Sequence, residues 1–285
     1  VETTVDRLIE AALAEDIGGG DLTSLYFVPE DRVATAFIVA REAGVLSGTE
    51  VAEEVFRKVD DNLDVECLLS DGSQVAEGAL VMRIEGSARS ILTAERTALN
   101  FLQRLCGIAT VTRRYVDAVR GTDTEILDTR KTIPGWRLLD KRAVVHGGGT
   151  NHRMGLYDRA MVKDNHLVAE GDVEELRSAI GRLKGDHPSV AVELEADNLA
   201  QVVSFLDLPD VDYILLDNMS LEDLRQAVEL RADRFNPRLE ASGGVTLETV
   251  RDIAETGVDF ISVGALTHSV RALDLALDFV RNEAE

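Results

Sequence analysis

The strongest constraint on this chain is a rhythm that begins after Gly121. Short apolar runs at residues 125–127, 160–162, 190–194, 213–216, 239–241 and 260–263 alternate with helical patterns near 172–183, 198–206, 221–232 and 246–255. Repeated β-α units of this kind build a parallel sheet, either open or closed into a barrel. The residues after each run are polar or small: Asp128-Thr129-Arg130-Lys131, Lys163-Asp164-Asn165-His166, Glu195, Asp217-Asn218, Ser242-Gly243-Gly244 and Gly264-Ala265. In a βα barrel all of these positions face one rim, where ligands collect. An open doubly wound sheet would also gather ligands at its strand ends. The glycine clusters after the last two runs favour the barrel, where late loops offer backbone N–H groups to a phosphate.

The first third reads as mixed α and β. A helix is expected over 5–15 and another over 49–58, with strands at 36–40, 65–69 and 80–84 separated by turns such as Asp71-Gly72. A long helical pattern starts near Thr93. Gly107 is expected to interrupt it, with a second helical stretch running to Arg120.

Composition narrows the function. Of 285 residues, 30 are Lys or Arg and 52 are Asp or Glu, a formal charge of −22. That balance argues against a nucleic-acid coat or an anionic-membrane binder, both of which need a basic face. Only Lys58, Lys131, Lys141, Lys163 and Lys184 are lysine, so arginine supplies the rest. An acidic surface nearly free of lysine suggests a salt-rich solvent that screens repulsion, a halophilic habit; an ordinary acidic cytosolic protein is the plainer alternative. No apolar run reaches the ~18 residues of a membrane span. The start shows no signal-peptide pattern, and the cytoplasm is the expected location. Cys67 and Cys106 stand too far apart in sequence and context to suggest a disulfide framework or a zinc site.

One window runs against this charge. From Arg130 to Lys163 there are eight basic and two acidic residues, a net +6, together with His146 and His152 and the triplet Gly147-Gly148-Gly149. Three of the five lysines fall here, where a compact ammonium suits an anion. Glycines let backbone approach a ligand closely. The window reads as a pocket for a small, highly anionic substrate beside a phosphate site; a solvated basic loop is the alternative.

These segments resemble the quinolinate phosphoribosyltransferase family, also called nicotinate-nucleotide pyrophosphorylase (carboxylating). The resemblance rests on residues 128–132, on Gly147-Gly148-Gly149 with Asn151-His152-Arg153, and on Lys163-Asp164-Asn165-His166. Upstream it takes in Glu95-Arg96-Thr97 with Asn100 and Cys106-Gly107-Ile108-Ala109-Thr110, where Cys106 replaces an expected serine. Downstream it takes in 193–195, 216–218, 242–244 and 263–269. It implies an N-terminal α/β sandwich (1–109), an incomplete, open α/β barrel of TIM-like type (110–270) and a C-terminal helix (271–285) packing back on the first domain. It implies transfer of the phosphoribosyl group of phosphoribosyl pyrophosphate (PRPP) to quinolinate with decarboxylation, giving nicotinate mononucleotide, CO2 and pyrophosphate, with Mg2+.

By the same resemblance, Arg130, His152, Arg153 and Lys163 surround quinolinate. Arg96 completes the cage from the neighbouring subunit of a homodimer. Lys131 takes the pyrophosphate, Glu195 and Asp217 the ribose hydroxyls and Mg2+, and Ser242, Gly243 and Gly264 the 5-phosphate. A paralogue using another aromatic acid, and an inert sugar-phosphate-binding barrel, are the competing readings.

Overall fold

The computed structural model describes residues 2–163, 173–232 and 234–280. In chain order the first elements are α1 (Glu2–Ile17), α2 (Leu22–Phe27), β1 (Val33–Ala40), β2 (Gly44–Val45), α3 (Thr49–Val59), β3 (Asp64–Cys67), β4 (Gln74–Val75), β5 (Leu80–Ser87) and α4 (Ala88–Ala118). They continue with β6 (Glu125–Leu127), α5 (Arg137–His146), β7 (Arg159–Val162), α6 (Val173–Asp186), β8 (Ala191–Ala196), α7 (Leu199–Leu206) and β9 (Tyr213–Asp217). The last are α8 (Leu221–Arg231), β10 (Arg238–Ser242), α9 (Val250–Ala254), β11 (Phe260–Ser262), α10 (Ala265–His268) and β12 (Leu275–Phe279).

The chain divides into two units. The first holds residues through Arg113, Ile133–Gly148, and the chain from Ser269 onward. The second holds Arg114–Thr132 and Gly149–His268. The expected boundaries at 109/110 and 270/271 miss the transfer of 133–148 to the first unit.

In the first unit β12, β1, β5 and β3 form an antiparallel sheet in that order. The buried face of α4 carries Ile91, Ala94, Ala98, Leu102, Leu105 and Ala109, a three-and-four spacing that holds one stripe toward the core. Gly107 does not interrupt α4. A Cβ there would lie 2.3 Å from the Arg271 carbonyl oxygen, so the glycine serves close passage of the chain before β12.

The expected C-terminal helix is also corrected. Leu275–Phe279 is a strand antiparallel to β1, pairing Leu277 with Ile38. Leu273, Leu275, Leu277 and Phe279 alternate with other residues at the period of a strand, and β1 had an unpaired edge to offer. Residues 281–285 of that expectation lie outside the described residues.

In the second unit six strands run parallel in the order β6-β11-β10-β9-β8-β7. The first strand in sequence is bonded to the last, and the others follow consecutively. That is barrel order, and it rules out the doubly wound alternative. Among the described residues β6 and β7 are the two ends of the sheet, which leaves the barrel open between them. Outward residues such as Val192, Leu194, Ile214, Leu216, Leu239 and Ile261 are buried, as expected of a parallel sheet covered by helices.

Gly107→Ala should lower stability, because overpacking against backbone at ~1–3 kcal/mol exceeds the ~1 kcal/mol helix-propensity gain of alanine. Gly181→Ala, in α6 with nothing within 4 Å of the new methyl, should raise it slightly. Thermal unfolding of both variants checks this; equal gains would contradict the packing argument.

Candidate active site

The strand ends of the second unit open on a cavity of about 810 Å³, typical of small-molecule sites. Arg130, Lys131, His152, Arg153, Lys163, Asp217, Ser242, Gly243 and Gly264 all line it. Glu195, 9 % exposed, is ion-paired with Lys163. So ten of the eleven expected residues stand in or directly beside one cavity. Arg96 is the exception: it is exposed on α4 in the first unit.

Ladder register explains the convergence. Val162 pairs with Leu194, which carries Lys163 to the level of Glu195. Glu195 pairs with Leu215, and Asp217 with Ser242. Asn218 adopts φ 52° and donates its backbone N–H to the Ser242 carbonyl at 2.8 Å. Gly243 follows with φ 99°, and a Cβ there would lie 2.1 Å from the Asn218 side-chain oxygen. Only glycine fits that turn. Gly264 is needed for a different reason: a Cβ would press on the Lys131 stem at 3.2 Å and the His268 ring at 3.1 Å.

The basic window proves to be two things. Arg130, Lys131, Arg153 and Lys163 line the cavity, and Arg159 stands close by. Arg137, Lys141 and Arg142 lie on α5 in the first unit, where Lys141 is fully buried. His146 also belongs there, with Nδ1 2.9 Å from the Ser47 hydroxyl. Two glycines of the triplet serve packing. A Cβ on Gly147 would lie 2.5 Å from the Ala109 carbonyl, and Gly148 has φ 91° against the Arg113 guanidinium, so these glycines let α5 end against α4. Asp164, Asn165 and His166 lie outside the described residues.

Charge around Arg153 is mixed, with Arg130 and Arg159 opposed by Glu193 and Asp158. Burial, then repulsion from Arg130 and Arg159, pushes its guanidinium below the ordinary arginine range. An anion in the cavity would relieve that repulsion. At the same mouth, Glu195, Asp197 and Asp217 hold carboxylate oxygens within 4.8 Å of one another. An all-oxygen set of this kind fits a hard divalent cation such as Mg2+. Asp197, two residues past Glu195, was not singled out in the sequence, and neither was His268, which lines the cavity beside Gly264.

Beneath lies a network that the sequence did not reveal. His152 is nearly buried, and its Nε2 sits 3.3 Å from both Glu193 and Glu240, each fully buried. Arg159 stacks on Tyr213 at 4.1 Å and stands 3.5 Å from Glu193. Asp128, also fully buried, accepts the His152 backbone N–H at 2.9 Å. The His152 Nδ1 accepts the Arg153 backbone N–H at 2.7 Å. Burial pushes the imidazole down, but Glu193 and Glu240 outweigh it and lift it to about 9. A second ring proton would have to sit on Nδ1, where the Arg153 N–H already points. That contact favours an imidazole protonated on Nε2. Burial and the adjacent Glu193 charge also push Glu240 above the usual carboxylate range, so the ring and Glu240 compete for a proton.

An open βα barrel with cations and carboxylates gathered at its strand ends defines a binding protein for small anionic ligands. Comparison with known proteins sharpens the class. Residues 21–106 match the quinolinate phosphoribosyl transferase N-terminal domain, and residues 108–278 the corresponding C-terminal domain. The chain belongs to the quinolinate phosphoribosyltransferase family. It is 44 % identical over 286 residues to a mitochondrial quinolinate phosphoribosyltransferase [decarboxylating] of Nicotiana tabacum, covering 95 % of this chain and 80 % of that one. It is 45 % identical over 276 residues to the nicotinate-nucleotide pyrophosphorylase [carboxylating] of Mycobacterium leprae, covering 95 % of each. The nicotinate-nucleotide pyrophosphorylase structure from Francisella tularensis superposes with a TM-score of 0.91 at 41 % identity, covering 98 % of this chain and 97 % of that one.

Gly243→Ala should destabilise the rim, since a forced positive φ costs on the order of 1–3 kcal/mol and the methyl displaces Asn218. A lower thermal midpoint together with weaker inorganic phosphate binding by calorimetry is expected; unchanged values in both would refute the turn's role.

Proposed function

We propose that this chain transfers the phosphoribosyl group of PRPP to quinolinate with decarboxylation, a step of NAD biosynthesis. The observation that carries this is the set of cations Arg130, Lys131, Arg153 and Lys163 lining one cavity, with burial and the nearby Arg130 pushing the Arg153 guanidinium below the ordinary arginine range. Quinolinate is a dianion, and bidentate Arg–carboxylate pairs would fix its orientation. Arg130, Arg153 and Lys163 are the groups for it, with His152 behind Arg153. Arg96, exposed on α4, is proposed to join them from the partner of a homodimer.

Lys131 suits the pyrophosphate as a mobile point charge. Ser242, Gly243, Gly264 and His268 suit the 5-phosphate. Glu195, Asp197 and Asp217 would hold the ribose hydroxyls and Mg2+, which when bound offsets charge on the pyrophosphate. Lys163 already pairs with Glu195, so the acceptor and ribose groups meet at that contact.

The chemistry follows from the substrates. The pyridine nitrogen forms a bond to the ribose anomeric carbon while the bond to pyrophosphate breaks. The carboxylate adjacent to the new pyridinium then leaves as CO2. Its bonding electrons stay on the ring carbon, stabilised by the positive nitrogen, and that carbon takes up a proton. Fixed cations and alignment supply the rate enhancement, and no organic cofactor is required.

The −22 charge and scarcity of lysine support a salt-rich setting, and a cytoplasmic location is proposed with it. No helix among the described residues is long and apolar enough to cross a membrane.

Incubation with quinolinate and PRPP should release pyrophosphate and nicotinate mononucleotide, with nicotinate a poor acceptor. Arg130→Ala and Lys163→Ala should each lower kcat/KM for quinolinate by on the order of a thousandfold, consistent with loss of a buried charge-assisted contact on the acceptor; near-normal values in both would sink the assignment. Across a potassium chloride series, activity and the dimer seen by sedimentation should both weaken at low salt as acidic surfaces repel. Full activity with an intact dimer at low salt would remove the halophilic reading alone.

A further inference from the structure

The substrate contacts proposed above leave the Glu193–Glu240 pair without a task. Both side chains are fully buried, and neither Glu240 oxygen makes an aligned hydrogen bond among the described residues. Burying two carboxyl groups together is costly, so their placement needs a reason. Their shared neighbour is His152. Its Nε2 is equidistant from both at 3.3 Å, and the Arg159 guanidinium donates to the same Glu193 at 3.5 Å. The opposite ring nitrogen holds the Arg153 backbone N–H at 2.7 Å. The Arg153 guanidinium is fixed in turn by the Arg159 carbonyl at 3.1 Å. Both ring nitrogens of His152 therefore face protein groups, although the ring borders the cavity.

We propose that Glu240, with Glu193, is a positioning residue of the acceptor subsite: the pair grips His152 at Nε2 so that Nδ1 anchors the backbone of Arg153, making His152 a strut and not a substrate ligand. This rests on the reading that Arg153 clamps quinolinate. A buried acidic partner that fixes a histidine's tautomer is a common way to orient a neighbouring functional group. The grip sets where the guanidinium of Arg153 can stand, so its loss falls on the acceptor and spares PRPP.

The test uses the whole chain labelled with 15N-histidine, with His152 assigned by its absence in His152→Gln. The unliganded protein should show His152 protonated on Nε2 and bare on Nδ1, and saturating quinolinate should leave those signals in place. Glu240→Leu should disturb the tautomer and raise KM for quinolinate on the order of tenfold, with KM for PRPP within about twofold. Glu240→Gln, which keeps the shape and a hydrogen-bonding oxygen, should restore both. A ring protonated on Nδ1 in the unaltered protein overturns the proposal and needs no variant. So does a large movement of the His152 nitrogens on quinolinate binding, or an equal rise of both KM values in a folded Glu240→Leu. If the unaltered chain fails to turn over quinolinate with PRPP, the proposed reaction fails, while the imidazole signals still decide the grip.

Discussion

Strand-to-strand register in the parallel sheet is the constraint on which the cavity depends. Parallel pairing steps one residue at a time, so fixing Val162 opposite Leu194 also fixes Lys163 beside Glu195. The same ladder sets Asp217 opposite Ser242 and Ser262 opposite Leu127, just before Asp128. A slip of one residue in any strand would turn its polar residue outward toward the helices and an apolar one inward. The bond between β6 and β11, first strand to last, brings the 128–131 segment next to Gly264.

Charge placement follows from that frame. The outer surface is acidic, yet the rim concentrates Arg130, Lys131, Arg153 and Lys163. Positive groups held this close repel one another, and a half-buried Arg153 lacks the water that would screen the repulsion. The Glu193 carboxylate beneath, and Glu195, Asp197 and Asp217 beside it, offset part of it. The site is thus a mixed-charge surface whose balance an anionic ligand would complete.

Much of this was legible before folding. The six strand ends and the residues that follow them were visible because each unit repeats the order strand, polar or small residue, helix. Three features escaped. The stretch 133–148 shares the basic character of its neighbours, and nothing in composition reveals that it packs in the other unit. Leu273 to Phe279 alternates over too few residues, next to a short helix, to be separated from a helical end. Glu193 and Glu240 look like surface acids in sequence, since isolated glutamates are almost always exposed.

The sequence by itself determined the alternating architecture, most of the rim residues and, through several ordered motifs, the family. Those depend on local periodicity and residue type, which a linear reading preserves. Only the tertiary structure decided which glycines serve turns and which serve packing, which cations share the cavity, and that two buried acids stand 3.3 Å from the His152 Nε2. Those outcomes depend on distances between residues far apart in the chain, such as His152 to Glu240, and no local pattern encodes them.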